Sequence, residues 1–230
     1  MYYSNLVKGT FIQRLNRFVA ECLIDDEKVA VHVPNTSRLT ELQIPGTLVY
    51  VQPSDNTNRK TKYTLIHMTK KDTLINIDSQ SPNRIIEEAL TSDPSWLNIH
   101  EPLTVLKREV SFDRSRFDLY YKTLSHKEGF IEVKGVTYEE DQIAYFPGAP
   151  TTRGVKHLEQ LMKAHSEGFN THMVYCIQVP NVRRLDIYQS MDPVYYDTYL
   201  QAKQHGVKIH AFTCFVTPHE VGLAKSVPYL

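Results

Sequence analysis

Up to about residue 80 no apolar run of this chain is longer than a strand, and each is cut off by turn chemistry. FVAECLI (18–24) ends on Asp25-Asp26, KVAVHV (28–33) ends on Pro34-Asn35, and TLVYVQ (47–52) follows Pro45-Gly46 and gives way to SDNTNRK. Short β-rich runs spaced about 8 to 12 residues apart, with Pro, Gly, Asn or Asp between them, build a small barrel or sandwich. The spacing predicts an OB-like β-barrel over residues 1–80.

From Ser81 the pattern changes. SPNRIIEEALTS sets Ser81 and Pro82 as an N-cap and first-turn pair ahead of apolar residues at helical spacing. LKREVSF, RFDLYY and FIEVKGVTY then read as strands parted by polar turns. TRGVKHLEQLMKAHSEG carries Val155, Leu158, Leu161 and Met162 on one helical face and stops at Gly168. THMVYCIQVP reads as a buried strand, DPVYYDTYLQAKQHG as a helix closed by Gly206, and VKIHAFTCFV as the last strand. Alternating strands and helices predict a second domain, 81–230, with a mixed central sheet, so the fold class is α/β of mixed α+β character.

Composition narrows the function classes. Lys plus Arg (26) equals Asp plus Glu (26), so no global positive field draws the chain to nucleic acid, and DNA affinity has to come from local patches. Lys8, Arg14 and Arg17 interrupt the N-terminal apolar residues before a signal-peptide core forms, and no segment approaches the roughly 20 apolar residues of a membrane span. Cys22, Cys176 and Cys214 are widely spaced and odd in number, which suggests neither a disulfide framework nor paired zinc ligands. A cytoplasmic protein with reduced thiols, and no membrane partner, is expected.

The most informative stretch is Arg116-Phe117-Asp118 on one strand and Ile131-Glu132-Val133-Lys134 on the next. Alternate strand side chains share a face, so Glu132 and Lys134 point the same way, and a hairpin brings Asp118 beside Glu132. Two carboxylates and a backbone carbonyl make a hard oxygen site for Mg²⁺ or Mn²⁺, with Asp118 and Glu132 as the metal ligands. Lys134 is placed to orient or deprotonate a water or to neutralise phosphate charge, and Glu88 on the preceding helix is a candidate outer-shell or second-metal ligand. The competing reading is an ordinary exposed ion pair across a strand face, worth well under about 1 kcal/mol. The order helix carboxylate, strand Asp, polar turn, strand E-x-K, basic helix is similar to the PD-(D/E)-x-K nuclease superfamily.

PNTSRLTELQIPGTLVYV, SDNTNRKTKYTL, NRIIEEAL, SRFDLY, IEVKGVTY and YFPGAPTTRGVKHLEQL resemble, in that order, the marks of the sugar fermentation stimulation protein A family. The resemblance implies an N-terminal OB-like domain, a nuclease-like C-terminal domain, DNA binding with little sequence preference and a link to sugar (maltose) metabolism. It also implies active-site-like roles for Asp118, Glu132 and Lys134, with Glu88 as the helix carboxylate and Arg116, Arg153 and His157 as polar neighbours. Ser37 stands where the family often has Gly, and Gly148-Ala149-Pro150 where it often carries Asp.

For DNA contacts, the loop Asp55–Lys62 offers Arg59, Lys60 and Lys62, with a solvated hairpin tip as the plainer reading. Gln13, Arg14 and Arg17 in FIQRLNRF are candidates to line the same barrel face, with a polar strand face as the plainer reading. Thr151, Thr152, Arg153 and Gly154 open the helix that carries Lys156 and His157, a ready anion site. Tyr63, Tyr145 and Phe146 are candidates to stack on unpaired bases, whereas Tyr195, Tyr196 and Tyr199 lie at helical spacing and read as packing residues. Three functions stay open: a DNA-binding factor with a nuclease-like site, an active Mg²⁺-dependent nuclease, and a repurposed small-molecule or protein-binding module. Neither the preferred nucleic acid nor the oligomeric state, a homodimer among the options, is legible.

Overall fold

The computed structural model describes residues 1–35, 37, 39–56 and 58–230, so Thr57 of the Asp55–Lys62 loop, and Thr36 and Arg38 of the PNTSRLTEL stretch, lie outside the described residues. The first strands are β1 (Val7–Asn16), β2 (Val19–Ile24), β3 (Glu27–His32), β4 (Leu48–Pro53), β5 (Tyr63–Lys70) and β6 (Thr73–Asn76), paired in the order β3-β2-β1-β4-β5-β6. Val31 and His32 of β3 also meet Tyr63 and Thr64 of β5 in parallel, which closes the first five strands into a barrel. Alternation along β2 sends Ala20, Cys22 and Ile24 inward to meet Phe11, Val31, Val49, Leu65 and Met68. The turn from β2 to β3 is Asp25-Asp26, both with positive φ (49° and 64°), a two-residue connection whose twist suits a tight hairpin.

α1 (Ser81–Ser92) follows four residues after β6. The expected capping role of Ser81 is corrected. Gln80 is the N-cap, and the Ser81 hydroxyl donates instead to Asn76 Oδ1 (2.7 Å) and the Asp78 carbonyl (2.9 Å). A 3-10 turn (Pro94–Leu97) leads to β7 (Leu103–Phe112), β8 (Ser115–Thr123) and β9 (Glu128–Val136), an antiparallel meander. β9 then pairs in parallel with β12 (Asn170–Ile177), and β12 with β14 (Lys208–Val216). The chain does not end on β14: β15 (Val221–Ser226) returns antiparallel to it, completing a six-stranded mixed sheet ordered β15-β14-β12-β9-β8-β7.

Helices cover both faces of this sheet. Ile85, Ile86 and Leu90 of α1 pack with Ile131, Val133 and Val174. On the other side α2 (Thr152–Ser166) and α3 (Pro193–Gln204) bring Leu158, Leu161, Tyr195 and Tyr199 against Met173 and Tyr175. Both α2 and α3 are followed by a glycine at φ +96°, Gly168 and Gly206, a conformation that stops a helix cheaply only for glycine. Beside them β10 (Glu139–Glu140), β11 (Ile143–Phe146) and β13 (Arg184–Ile187) form a separate small sheet. All three cysteines are buried and free. Among the described residues no helix is long and apolar enough to cross a membrane.

Candidate metal and nucleic-acid site

The β8–β9 ladder runs from Lys122–Glu128 to Leu119–Ile131 and ends one residue short of Asp118. Phe117 and Leu119, two residues apart, join different apolar clusters, so the regular alternation of β8 is interrupted at the Asp between them. There the Asp118 side chain takes over from the ladder: Oδ2 accepts the Val133 amide at 2.8 Å, and Oδ1 accepts Asn83 Nδ2 from α1, also at 2.8 Å. Burial, and then the charge of Glu132, raise the Asp118 pKa to about 6, against the Val133 amide, Lys134 and Asn83.

Glu132 sits on β9, held between neighbours on both sides, and is only 2% exposed. An exposed surface ion pair is thereby ruled out for Glu132 and Lys134. Lys134 Nζ donates to Glu132 Oε1 at 2.6 Å, which shows that the two share a face, and His157 Nδ1 from α2 bonds the same oxygen. Arg153, one turn earlier on α2, donates from Nε to His157 Nε2 at 3.4 Å, and Lys134 Nζ lies 3.3 Å from His157 Nδ1, so Glu132, Lys134, His157 and Arg153 form one connected set of contacts. Burial is the largest influence on the Glu132 carboxyl and would raise its pKa, but the His157 hydrogen bond and the Lys134 charge outweigh it and hold it below the usual value. Glu132 Oε2, by contrast, is buried without a hydrogen-bond partner among the described residues.

That orphaned oxygen is the test of fit for a cation. A buried anionic oxygen without a donor is costly, and a divalent ion would satisfy it. Each Asp118 oxygen accepts one hydrogen bond and keeps a lone pair. Among the described residues no three His, Cys, Asp or Glu side chains form a ready metal cage, so an ion here would draw on the two carboxylates and on water. Asp118, Glu132, Lys134, His157 and Arg153 are therefore brought together.

Glu88 is not among them. It lies about 140° around α1 from Asn83, five residues on at 100° each. Its carboxylate is bound by the Met1 ammonium at 2.7 Å and by Arg84 at 2.9 Å. Asn83 is the α1 side chain that reaches Asp118. Sequence reading passed over it, although an Asn placed within the first helical turn, right after Pro82, is a signal for a local polar task.

The expected DNA contacts divide in a similar way. Lys60 and Lys62 are exposed, and Arg59 is half-buried with Nη1 on Thr64 Oγ1 at 3.2 Å. Arg14 spends its guanidinium on the carbonyls of Asn16 (2.8 Å), Arg17 and Asn35 (3.0 Å), while Arg17 lies over the Phe18 ring and Gln13 donates to Glu21. Arg116 pairs with Glu109 at 2.7 Å, and Lys156 donates to the Arg114 carbonyl at 2.8 Å. At the start of α2, Thr151 Oγ1 takes the Gly154 amide and buried Asp192 accepts Thr151 N at 2.8 Å, which sets a carboxylate beside the predicted anion site. Tyr63 and Phe146 pack onto the core, as do Tyr195 and Tyr199, which are fully buried.

An OB barrel joined to a mixed-sheet α/β unit, with buried Glu132 flanked by half-buried Asp118 and Lys134 on neighbouring strands, defines a two-part protein with a carboxylate–lysine site on its second sheet. Family models agree: residues 12–77 match the SfsA N-terminal OB domain, and residues 80–220 match the sugar fermentation stimulation protein RE domain. The chain belongs to the sugar fermentation stimulation protein family. It is 41% identical over 227 residues to the homolog of Clostridium beijerinckii, spanning 99% of this chain and 98% of that one, and 41% identical over 231 residues to that of Alkaliphilus oremlandii, at 99% and 97%. Among solved structures, Pyrococcus furiosus SfsA in complex with Ca²⁺ superimposes with a TM-score of 0.89 at 27% identity, covering 100% of this chain and 98% of that one.

Proposed function

We propose that this protein binds DNA with little sequence preference and that Asp118 and Glu132 hold a Mg²⁺ or Mn²⁺ ion beside Lys134, where a phosphodiester bond is hydrolysed. The partnerless, buried Oε2 of Glu132 carries this reading. Buried polar oxygens are ordinarily hydrogen-bonded, and among the described carboxylates Asp186 Oδ1 is the other exception, at the small sheet away from this cluster. That the Pyrococcus furiosus relative is described with Ca²⁺, another hard oxygen-seeking ion, supports it.

A divalent ion there would lower the pKa of a bound water and neutralise charge on the scissile phosphate. The residues around it have distinct tasks. Asn83 and the Val133 amide fix the Asp118 carboxylate, and His157 fixes that of Glu132 through Oε1, leaving Oε2 for the ion. Lys134 is within reach of a phosphate oxygen or a water, and Arg153, on the exposed start of α2, extends the positive side of the site. Lys60 and Lys62, exposed on the barrel, supply sequence-independent phosphate contacts. The relatives' name links them to sugar fermentation, and a DNA-binding role in sugar utilisation is the physiological half of the same proposal.

The test is incubation of wild type and a Glu132→Ala, Lys134→Ala double variant with single-stranded and duplex DNA and RNA, with Mn²⁺ and with chelator. Metal-dependent cleavage that the variant lacks is the expected result. Binding without cleavage by both proteins would overturn the hydrolytic half and leave a DNA-binding scaffold.

A further inference from the structure

Tyr138, Tyr145 and Tyr188 form a triangle of rings with centroids 5.7, 6.4 and 5.2 Å apart, all half-exposed. Tyr138 and Tyr188 are near parallel (17°) and Tyr145 is tilted against both (39° and 47°), an arrangement that leaves aromatic surface partly in water. The small sheet holds them in place: Tyr145 lies on β11, which is paired with β13 opposite Asp186, and its amide donates to the Tyr138 carbonyl at 3.1 Å. The Tyr188 amide, just past β13, donates to the Phe146 carbonyl at 2.7 Å. The rings therefore stand on hydrogen-bonded backbone at both edges.

They line a cavity of about 360 Å³, within the range of small-ligand pockets. Gly135, the residue after Lys134 on β9, lines it too, so the cavity reaches the strand that carries Glu132 and Lys134, and Gly148 and Ala149 contribute small side chains to its lining. Leu39, Thr40 and Glu41, ahead of β4, line it as well. Glu140 accepts the Tyr138 hydroxyl at 3.3 Å. Among the described lining residues Glu41 is the one charged group, which favours a neutral planar group on the flat tyrosine faces over a phosphate.

We propose that the Tyr138–Tyr145–Tyr188 platform stacks an unpaired nucleobase of the strand whose phosphodiester lies at Asp118, Glu132 and Lys134. This rests on the nucleic-acid reading above and sharpens it: the substrate class becomes single-stranded DNA, or duplex with an unstacked base. The phosphate backbone passes on the Lys134 and Arg153 side, and the base turns toward the tyrosines. Stacking on an aromatic face tolerates any base, in keeping with low sequence preference.

The experiment measures equilibrium binding by fluorescence anisotropy, in chelator, of a short labelled oligothymidylate and of the same strand with abasic sites in place of thymidines. Wild type should bind the base-bearing strand about tenfold more tightly, the effect of roughly one stacked base. A Tyr138→Ala, Tyr188→Ala variant should lose that preference and keep its affinity for the abasic strand, while Tyr188→Phe, which retains the ring, should behave as wild type. Equal affinity of wild type for the two strands, or equal weakening of both in the double alanine variant, would overturn the platform while leaving backbone binding intact. Absence of binding to either strand would overturn the nucleic-acid reading itself.

Discussion

Asn83 donates its side-chain amide to Asp118 Oδ1 at 2.8 Å, tying the first turn of α1 to the strand that carries the site. The other Asp118 oxygen is held by Val133 N, so the carboxylate is oriented by one helix and one strand at once. Partners of this kind, which orient a metal ligand without touching the metal, typically change affinity 10- to 100-fold when removed. Asn83→Ala should therefore weaken Mn²⁺ binding about tenfold by calorimetry, with the circular dichroism spectrum unchanged. Unaltered affinity would show that the Val133 amide alone is enough to orient the carboxylate.

The Asp118 carboxyl should make stability depend on pH in the metal-free protein. Its folded pKa is raised to about 6 from 3.8 by burial first and the Glu132 charge second. A carboxyl whose folded pKa is raised binds more protons folded than unfolded, so its contribution falls as pH rises through that interval. Between about pH 4 and pH 6 it should cost the fold up to about 2 kcal/mol, retained above pH 6. Asp118→Asn should accordingly match wild type near pH 4 and melt several degrees higher at pH 8 in chelator. Added Mn²⁺ should stabilise wild type at pH 8 and leave Asp118→Asn unmoved, and parallel pH profiles for the two proteins would remove Asp118 as the titrating group.

Two sets of barrel cations should separate cleanly. Lys60 and Lys62 are exposed, whereas Arg14 holds three backbone carbonyls around the β1–β2 turn and Asn35. Each phosphate contact releases counterions, so Lys60→Ala with Lys62→Ala should reduce the slope of log affinity against log salt by about 2 without altering the melting temperature. Arg14→Ala should instead destabilise the protein by about 1–2 kcal/mol, because it strands those carbonyls. A slope change in Arg14→Ala at unchanged stability would reassign that guanidinium to DNA.

The contrast between Glu132 and Glu88 shows what a linear reading reaches. The Glu132–Lys134 pair is legible because strand period two is rigid and the short turn between β8 and β9 leaves the chain little choice but a hairpin. Glu88 was expected at the site from the order of a helix carboxylate before the strand Asp and from the family resemblance, whereas helical spacing shows which face is apolar and not which polar residue looks along the sheet edge. A carboxylate there is equally well satisfied by Arg84 four residues away. Asn83, the Asp192–Thr151 bond and the tyrosine platform depend on contacts between elements far apart in sequence. The small sheet that carries the platform has strands of two and four residues, too short to display any period.

The barrel and the second sheet are joined by a buried polar cluster whose cost is predictable. Asn76, at the end of β6 and fully buried, donates to the Tyr3 hydroxyl at 3.1 Å and accepts from Ser81 Oγ at 2.7 Å and Gln178 Nε2 at 2.5 Å. Gln178, just past β12, also reaches the Asp78 carbonyl at 2.9 Å. The network thus clasps β6, the last strand of the first sheet, to the start of α1 and the end of β12. Removing the Asn76 side chain leaves Ser81 and Gln178 with buried donors unmet by the side chain they shared, each worth roughly 1–3 kcal/mol if wholly unsatisfied. Both keep a second partner at Asp78, which lowers the total, so Asn76→Ala should cost about 3 kcal/mol in urea denaturation. One apolar cluster runs from Phe11 and Met68 in the barrel to Phe130 and Tyr175 beneath the second sheet, so the loss should appear as a single transition at lower urea with an unchanged slope. Two resolved transitions would mean that this clasp, rather than the shared apolar core, makes the barrel and the sheet unfold together.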